Sequence, residues 1–190
     1  MDEILKELRS FIAYRVQEGF ESPHEIVENA TYYAQESYCR DDVLPLIKRI
    51  TAELLAAHRA EQSGWEGSTD CDRLNEAFAS LNEQGIVARQ DFSCCNNCGF
   101  AEIWDEVEKE EARHPVEGYV FYHLQSTERA IESGELLLCY GCIEDDSKAL
   151  KRVANKIVEE LLRVGLKARW QGTTAHPIVV EGIVWRRRRT

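Results

Sequence analysis

The chain has 190 residues, 23 basic against 34 acidic, for a formal net charge of −11. That balance excludes the positive footprint that general nucleic-acid binding requires, and it equally disfavours an anionic membrane surface. With 44% hydrophobic and 30% charged residues, the composition is that of a globular chain with room for one ordinary domain, or for a small helical module joined to a compact α/β one.

Three helices are predicted before residue 63. The first runs from about Glu3 to Gln17, with Ile4, Leu5, Leu8, Ile12 and Val16 near helical spacing. The second opens on Ser22-Pro23-His24-Glu25, which places an N-cap serine, a proline at the first helical position and a capping-box glutamate. The third begins after Asp41 or Asp42, takes Pro45 in its first turn and runs to about Ala60. Together, residues 1–62 read as a helical bundle or arm, suited to a protein partner or to self-association. Residues 63–69 read as a linker by composition, with Trp65 packing onto one of the flanking modules.

Residues 70–190 read as an α/β domain. A helix from Thr69 or Asp70 carries Leu74, Ala77, Phe78 and Leu81 on one face and ends at Gly85. Elements then alternate. Strands are predicted at Ile86–Phe92, Tyr119–His123, Leu136–Tyr140, Leu166–Gln171 and Ile178–Trp185. Helices are predicted near Cys98–Ala112, Thr127–Glu132 and Ser147–Val164. With the short helix set aside, the order is β-α-β-β-α-β plus one strand, the split βαβ or ferredoxin-like pattern. The fold class expected is therefore α+β, with Leu136-Leu137-Leu138 in a central strand covered on both faces.

The opening Met1-Asp2-Glu3-Ile4 lacks the basic and apolar regions of a signal peptide, and no apolar run approaches the roughly 20 residues of a membrane span. A cytoplasmic location is expected. Seven cysteines in such a chain point to free thiols, metal ligands or redox groups rather than to a disulfide framework. Two C-x-x-C pairs stand out: Cys95/Cys98 in Ser93-Cys94-Cys95-Asn96-Asn97-Cys98-Gly99, and Cys139/Cys142 in Cys139-Tyr140-Gly141-Cys142. Two such pairs can supply four thiolates to one tetrahedral zinc. In a split βαβ sheet the first and third strands are parallel neighbours, so both pairs would meet at one edge beside two helix N-termini, whose partial positive charge favours thiolate. Cys94 is an alternate ligand or a reactive thiol. Cys39 and Cys71 sit on predicted helices without partners and read as packing residues.

Other candidates are weaker. In this topology His123 ends the second strand at the edge opposite the thiols; it reads as a surface histidine rather than as an acid–base partner of Glu128. Arg186–Arg189 is a basic run that can engage an acidic partner or phosphate, and otherwise is a solvated tail. There is no phosphate-binding glycine loop, G-x-S-x-G elbow or H-E-x-x-H.

Several stretches resemble an uncharacterised bacterial family known as a domain of unknown function. They are Thr69-Asp70-Cys71-Asp72-Arg73-Leu74 with Ala77-Phe78, Gly85-Ile86-Val87-Ala88-Arg89, Cys94-Cys95 with Cys98-Gly99, and Gly118-Tyr119-Val120-Phe121-Tyr122-His123 with Gln125, Thr127 and Glu128. The double-cysteine CCxxCG motif is the most specific of these. The resemblance carries the first cysteine group and not the second pair. It implies a bacterial cytoplasmic protein and no particular activity.

Three readings of function follow. The first is a small regulatory or interaction protein with a structural zinc-type thiolate site at Cys95, Cys98, Cys139 and Cys142. The second is a thiol-based enzyme or redox sensor using Cys94, Cys95 or Cys98. In the third, no metal binds and the cysteines only pack.

Overall fold

The computed structural model describes residues 2–35, 40–144, 146–173 and 175–189. Cys39 lies outside the described residues. The chain divides into two compact units, one formed by residues 1–67 with 186–190 and the other by residues 68–185. No helix among the described residues is long and apolar enough to cross a membrane.

The first unit contains α1 (Asp2–Glu18), α2 (Pro23–Ala34) and α3 (Arg40–Gln62). Leu8, Ile12 and Val16 recur every four residues on α1 and meet Ile26 and Ala30 of α2 and Ile47 and Ile50 of α3 in one core. The Ser22 capping box forms as its sequence dictates: the Glu25 amide donates to Ser22 Oγ at 3.3 Å, and the Ser22 amide donates to Glu25 Oε2 at 2.7 Å. Pro45 lies a turn deeper than expected, because α3 begins at Arg40.

The terminal arginines correct the expectation of a solvated tail. The Gln62 side chain brackets Arg189, donating to its carbonyl at 3.1 Å and accepting from its amide at 2.7 Å. His58 Nε2 is 3.1 Å from the Arg187 carbonyl. The Arg188 guanidinium donates to the carbonyls of Trp65 and Gly67, and that of Arg189 to those of Val16 and Glu21. The cause is donor–acceptor matching: the end of a helix leaves carbonyls unpaired, and a guanidinium fork carries donors to meet them. Trp65 packs edge-on against His58 at 5.5 Å between ring centroids, so the linker tryptophan does settle on a module.

The second unit contains, in order, α4 (Asp70–Glu83), β1 (Ile86–Arg89), α5 (Asn96–Glu111), β2 (Gly118–Phe121), α6 (Leu124–Ser133), β3 (Glu135–Cys142), α7 (Ser147–Arg163), β4 (Lys167–Arg169) and β5 (Ile178–Glu181). Thr69 and Asp72 form a second capping box at the start of α4, and Gly85 follows its end at φ +78°. The expected α+β class with N-terminal helices is what the chain adopts.

Strand pairing differs from the split βαβ expectation. The sheet order is β1-β2-β3-β5-β4, with β1 and β2 parallel and every other pair antiparallel. The parallel neighbours are thus the first and second strands, joined by the helical crossover that parallel pairing demands. The short α6 then reverses the chain, and Gly134 at φ +73° starts β3 back beside β2. The Leu136–Leu138 segment is central as expected, but only Leu136 and Leu138 are fully buried. One sheet face carries Val87, Tyr119, Phe121 and Cys139 against Ile103 and Val107 of α5. On the other, Phe78 of α4 meets Tyr122 edge-on at 5.6 Å.

Candidate functional site

The carboxyl ends of two adjacent parallel strands are where open α/β sheets gather binding groups. At that end here lie the loop from β1 to α5 and the junction from β2 to α6. The loop is held in an unusual shape. Asp91 at φ +49° and Ser93 at φ +67° occupy the left-handed region, which costs a non-glycine residue of order 1 kcal/mol. Neighbours from β2 and α6 hold it there: the Phe92 amide donates to the Tyr122 carbonyl at 2.7 Å, the Leu124 amide to the Ser93 carbonyl at 3.2 Å, and Thr127 Oγ1 to Asp91 Oδ1 at 2.6 Å.

This loop presents Cys94, Cys95 and Cys98. Their ligand atoms all lie within 4.8 Å of one another, close enough to hold a metal ion. Cys94 is exposed and the other two half-buried. Cys95 is the N-cap residue of α5, and Gly99 follows Cys98 for a steric reason. A Cβ at Gly99 would run into the Phe121 ring, so glycine lets the first turn of α5 lie flat on β2. The amide and thiol of Cys98, then Cys94, draw the Cys95 pKa below its ordinary value, although the amide stops short of a full cap hydrogen bond. Cys98 moves the opposite way, to about 11, because Cys94 and Cys95 stabilise its protonated form. Of the two, Cys95 is therefore the first to give up its proton and Cys98 the one that keeps it longer.

The four-cysteine arrangement expected from the split βαβ topology does not assemble. Cys139 pairs in register with Phe121 at the site end of β2, whereas Cys142 pairs with Gly118 at the far end. Three residues of strand separate the two by about 10 Å. Cys142 Sγ donates to the Glu144 carbonyl at 2.8 Å, and Cys139 Sγ to Asn96 Oδ1 at 3.0 Å. Neither belongs to the three-sulfur group. Burial pushes the Cys139 thiol up to about 11, as expected of a packed cysteine. Cys71 is fully buried and unbridged.

His123 reverses its expected position for the same topological reason. Because β2 runs parallel to β1, the residue that follows it lies at the thiol end. There it is 6% exposed, caps α6 as its N-cap residue, and places Nε2 2.8 Å from Asn96 Oδ1 and 3.4 Å from Ser126 Oγ. The helix N-termini that meet at this edge are those of α5 and α6, not α5 and α7. Sequence reasoning passed over Asn96, which links His123 to Cys139. Its only signal was its place inside the CCNNC segment, and the strand–helix–strand order from Ile86 to Phe121 was the clue to the parallel pair.

The family model described as "Domain of unknown function (DUF6891)" matches residues 1–189, and the chain belongs to that family. No curated protein and no solved structure matches it.

Proposed function

Since the family assigns no activity, we propose from the site alone that this is a small cytoplasmic regulatory or interaction protein carrying a zinc-type thiolate centre at Cys94, Cys95 and Cys98. The proximity of the three sulfurs carries this reading. Tetrahedral zinc with bonds of about 2.3 Å needs sulfurs about 3.8 Å apart, which a set already within 4.8 Å reaches by small side-chain rotations. The helix N-terminus offsets the charge that accumulates on three thiolates. Among the described residues no fourth cysteine, histidine or carboxylate joins the group, so water or an incoming donor would complete the coordination, an arrangement that favours exchange over a closed structural site. The helical unit would supply the partner or self-association surface; Tyr32 of α2, 78% exposed, is the residue that supports this.

The test is elemental analysis of the protein purified without chelator, followed by zinc titration in competition with a chromophoric chelator. About one zinc per chain is expected, and it should be lost in a Cys95→Ala, Cys98→Ala double variant. Absence of stoichiometric uptake in the reduced wild type would overturn the reading. The lowered pKa of Cys95 favours a second reading, a thiol that reacts directly. In that case alkylation of the reduced, metal-free chain should fall on Cys95 well before Cys98, and zinc should give no protection.

A further inference from the structure

A cavity of about 690 Å³ lies wholly within the helical unit, between the turn that joins α1 to α2, the second half of α3 and the end of the chain. Four arginines line it: Arg59, Arg187, Arg188 and Arg189. We propose that it binds the phosphate or diphosphate group of a small molecule. Nothing in this proposal uses the three thiols or a metal.

The charge balance of the lining carries the argument. A carbonyl satisfies a donor but has no formal charge, so anchoring Arg189 on the carbonyls of Val16 and Glu21 leaves its positive charge in place. Burial, with Arg59 adding to it, draws the Arg189 pKa below its ordinary value against the pull of Glu21. Arg59 is exposed, and no carboxylate pairs with it among the described residues. Two carboxylates also line the cavity, and both are engaged elsewhere. Glu21 Oε1 accepts from Asn29 at 3.0 Å and lies 3.6 Å from Arg15, while its Oε2 is enclosed by protein. Glu25 Oε2 accepts from the Ser22 amide at 2.7 Å to close the capping box. Four guanidiniums against two carboxylates leave a formal excess of two positive charges in a chain of net charge −11. That excess matches the charge of about −1.5 to −2 on a phosphate ester near pH 7.

Shape points the same way. The planar fork of arginine meets phosphate oxygens through two parallel N–H bonds. Arg187 is held in advance, its guanidinium 3.9 Å from the Phe20 ring centroid and its stem packed where a Cβ on Gly19 would stand. A guanidinium already fixed loses less side-chain freedom when an anion arrives. Phe20, Pro23 and Leu55 supply apolar wall for the organic part of the ligand. The volume falls inside the roughly 300–1,000 Å³ of small-molecule sites and exceeds what a lone phosphate fills. A strongly acidic chain repels nucleic acid and anionic membrane as a whole, so a small anion is the form of phosphate that reaches this cavity.

The experiment is equilibrium dialysis of the full chain at low salt against pyrophosphate and, separately, phenyl phosphate. Saturable uptake of about one per chain is expected with at least one of them. Arg59→Gln should weaken it about tenfold or more, the worth of a charge-assisted hydrogen bond. Arg59 is exposed, so this variant keeps the fold, and circular dichroism with a urea midpoint checks that it does. Arg186→Gln removes the same charge from the exposed member of the terminal run that does not line the cavity, and should leave binding nearly unchanged. Absence of saturable uptake with both probes overturns the proposal. So does undiminished binding in Arg59→Gln, and so does equal weakening by the two substitutions, which would mean diffuse attraction to the basic run.

Discussion

Burial holds His123 below its ordinary pKa of 6.5, and desolvation of the ring is the cause. The sign of the effect on stability follows directly. Near and below pH 6.5 the unfolded chain binds a proton that the folded chain resists, so stability rises with pH through this window. The contribution is fully present above 6.5 and is lost as pH falls through the folded-state value. A urea midpoint measured against pH should therefore decline on the acid side in the wild type, and this limb should flatten in His123→Gln. An identical acid limb in both proteins would move the cause elsewhere. The residue shows how one misplaced strand misleads: read as the second strand of a split sheet it is a surface histidine, and read as the end of a parallel neighbour it is buried beside Asn96.

Among the elements, α5 is fastened to the sheet in two ways. Arg89 at the end of β1 bonds Glu106 at 2.9 Å and Glu110 at 3.2 Å, with all three side chains about three-quarters buried. Lys109 first and then Arg89 hold the Glu106 carboxyl below its usual range. The tighter fastening is steric, at Gly99 against Phe121. Gly99→Ala should cost about 1–3 kcal/mol, the usual range for overpacking a filled interior. The measurable signature goes beyond stability. If the helix lifts off β2, the loop bearing the thiols moves with it, so zinc affinity should fall in this variant although no ligand has changed. Unchanged stability and affinity would show that the ring simply rotates aside. A second device protects the edge of the sheet: Asn82 pairs with both backbone groups of Ala88, at 3.0 and 3.2 Å, in place of a further strand.

For the molecule as a whole, the two units are not two consecutive stretches of chain. The helical unit takes its last four described residues, Arg186–Arg189, from the far end of the sequence. Gln62 holds that segment through two backbone hydrogen bonds, the way a neighbouring strand would. Gln62→Ala removes both and should cost the helical unit about 1–2 kcal/mol, at the net worth of a hydrogen bond apiece. Amide exchange should quicken in α1 and α3, while the α/β unit keeps its protection. Equal loosening of both units would mean that they unfold as one.

Much of this was legible in the chain itself, wherever the determining forces act over a few residues. Ser22-Pro23 with Glu25 and Thr69 with Asp72 specify helix starts because a hydroxyl or carboxylate reaches amides within the same turn. The apolar repeats of α1, α4 and α7 mark buried faces because helix period alone aligns them. Likewise, Cys94, Cys95 and Cys98 are brought together by one turn of loop and helix, which is why the sequence could nominate them. Only the tertiary structure decided which strand lies beside which. That choice rests on how α5 and α6 pack on the sheet, and segments of similar β character offer no local signal of it. From that single choice follow the separation of Cys142 from the other thiols and the burial of His123 beside Asn96. The docking of the terminal arginines was equally invisible in sequence. A run of four positive charges reads as solvated until the carbonyls that accept its hydrogen bonds, some 170 residues away along the chain, are placed within reach.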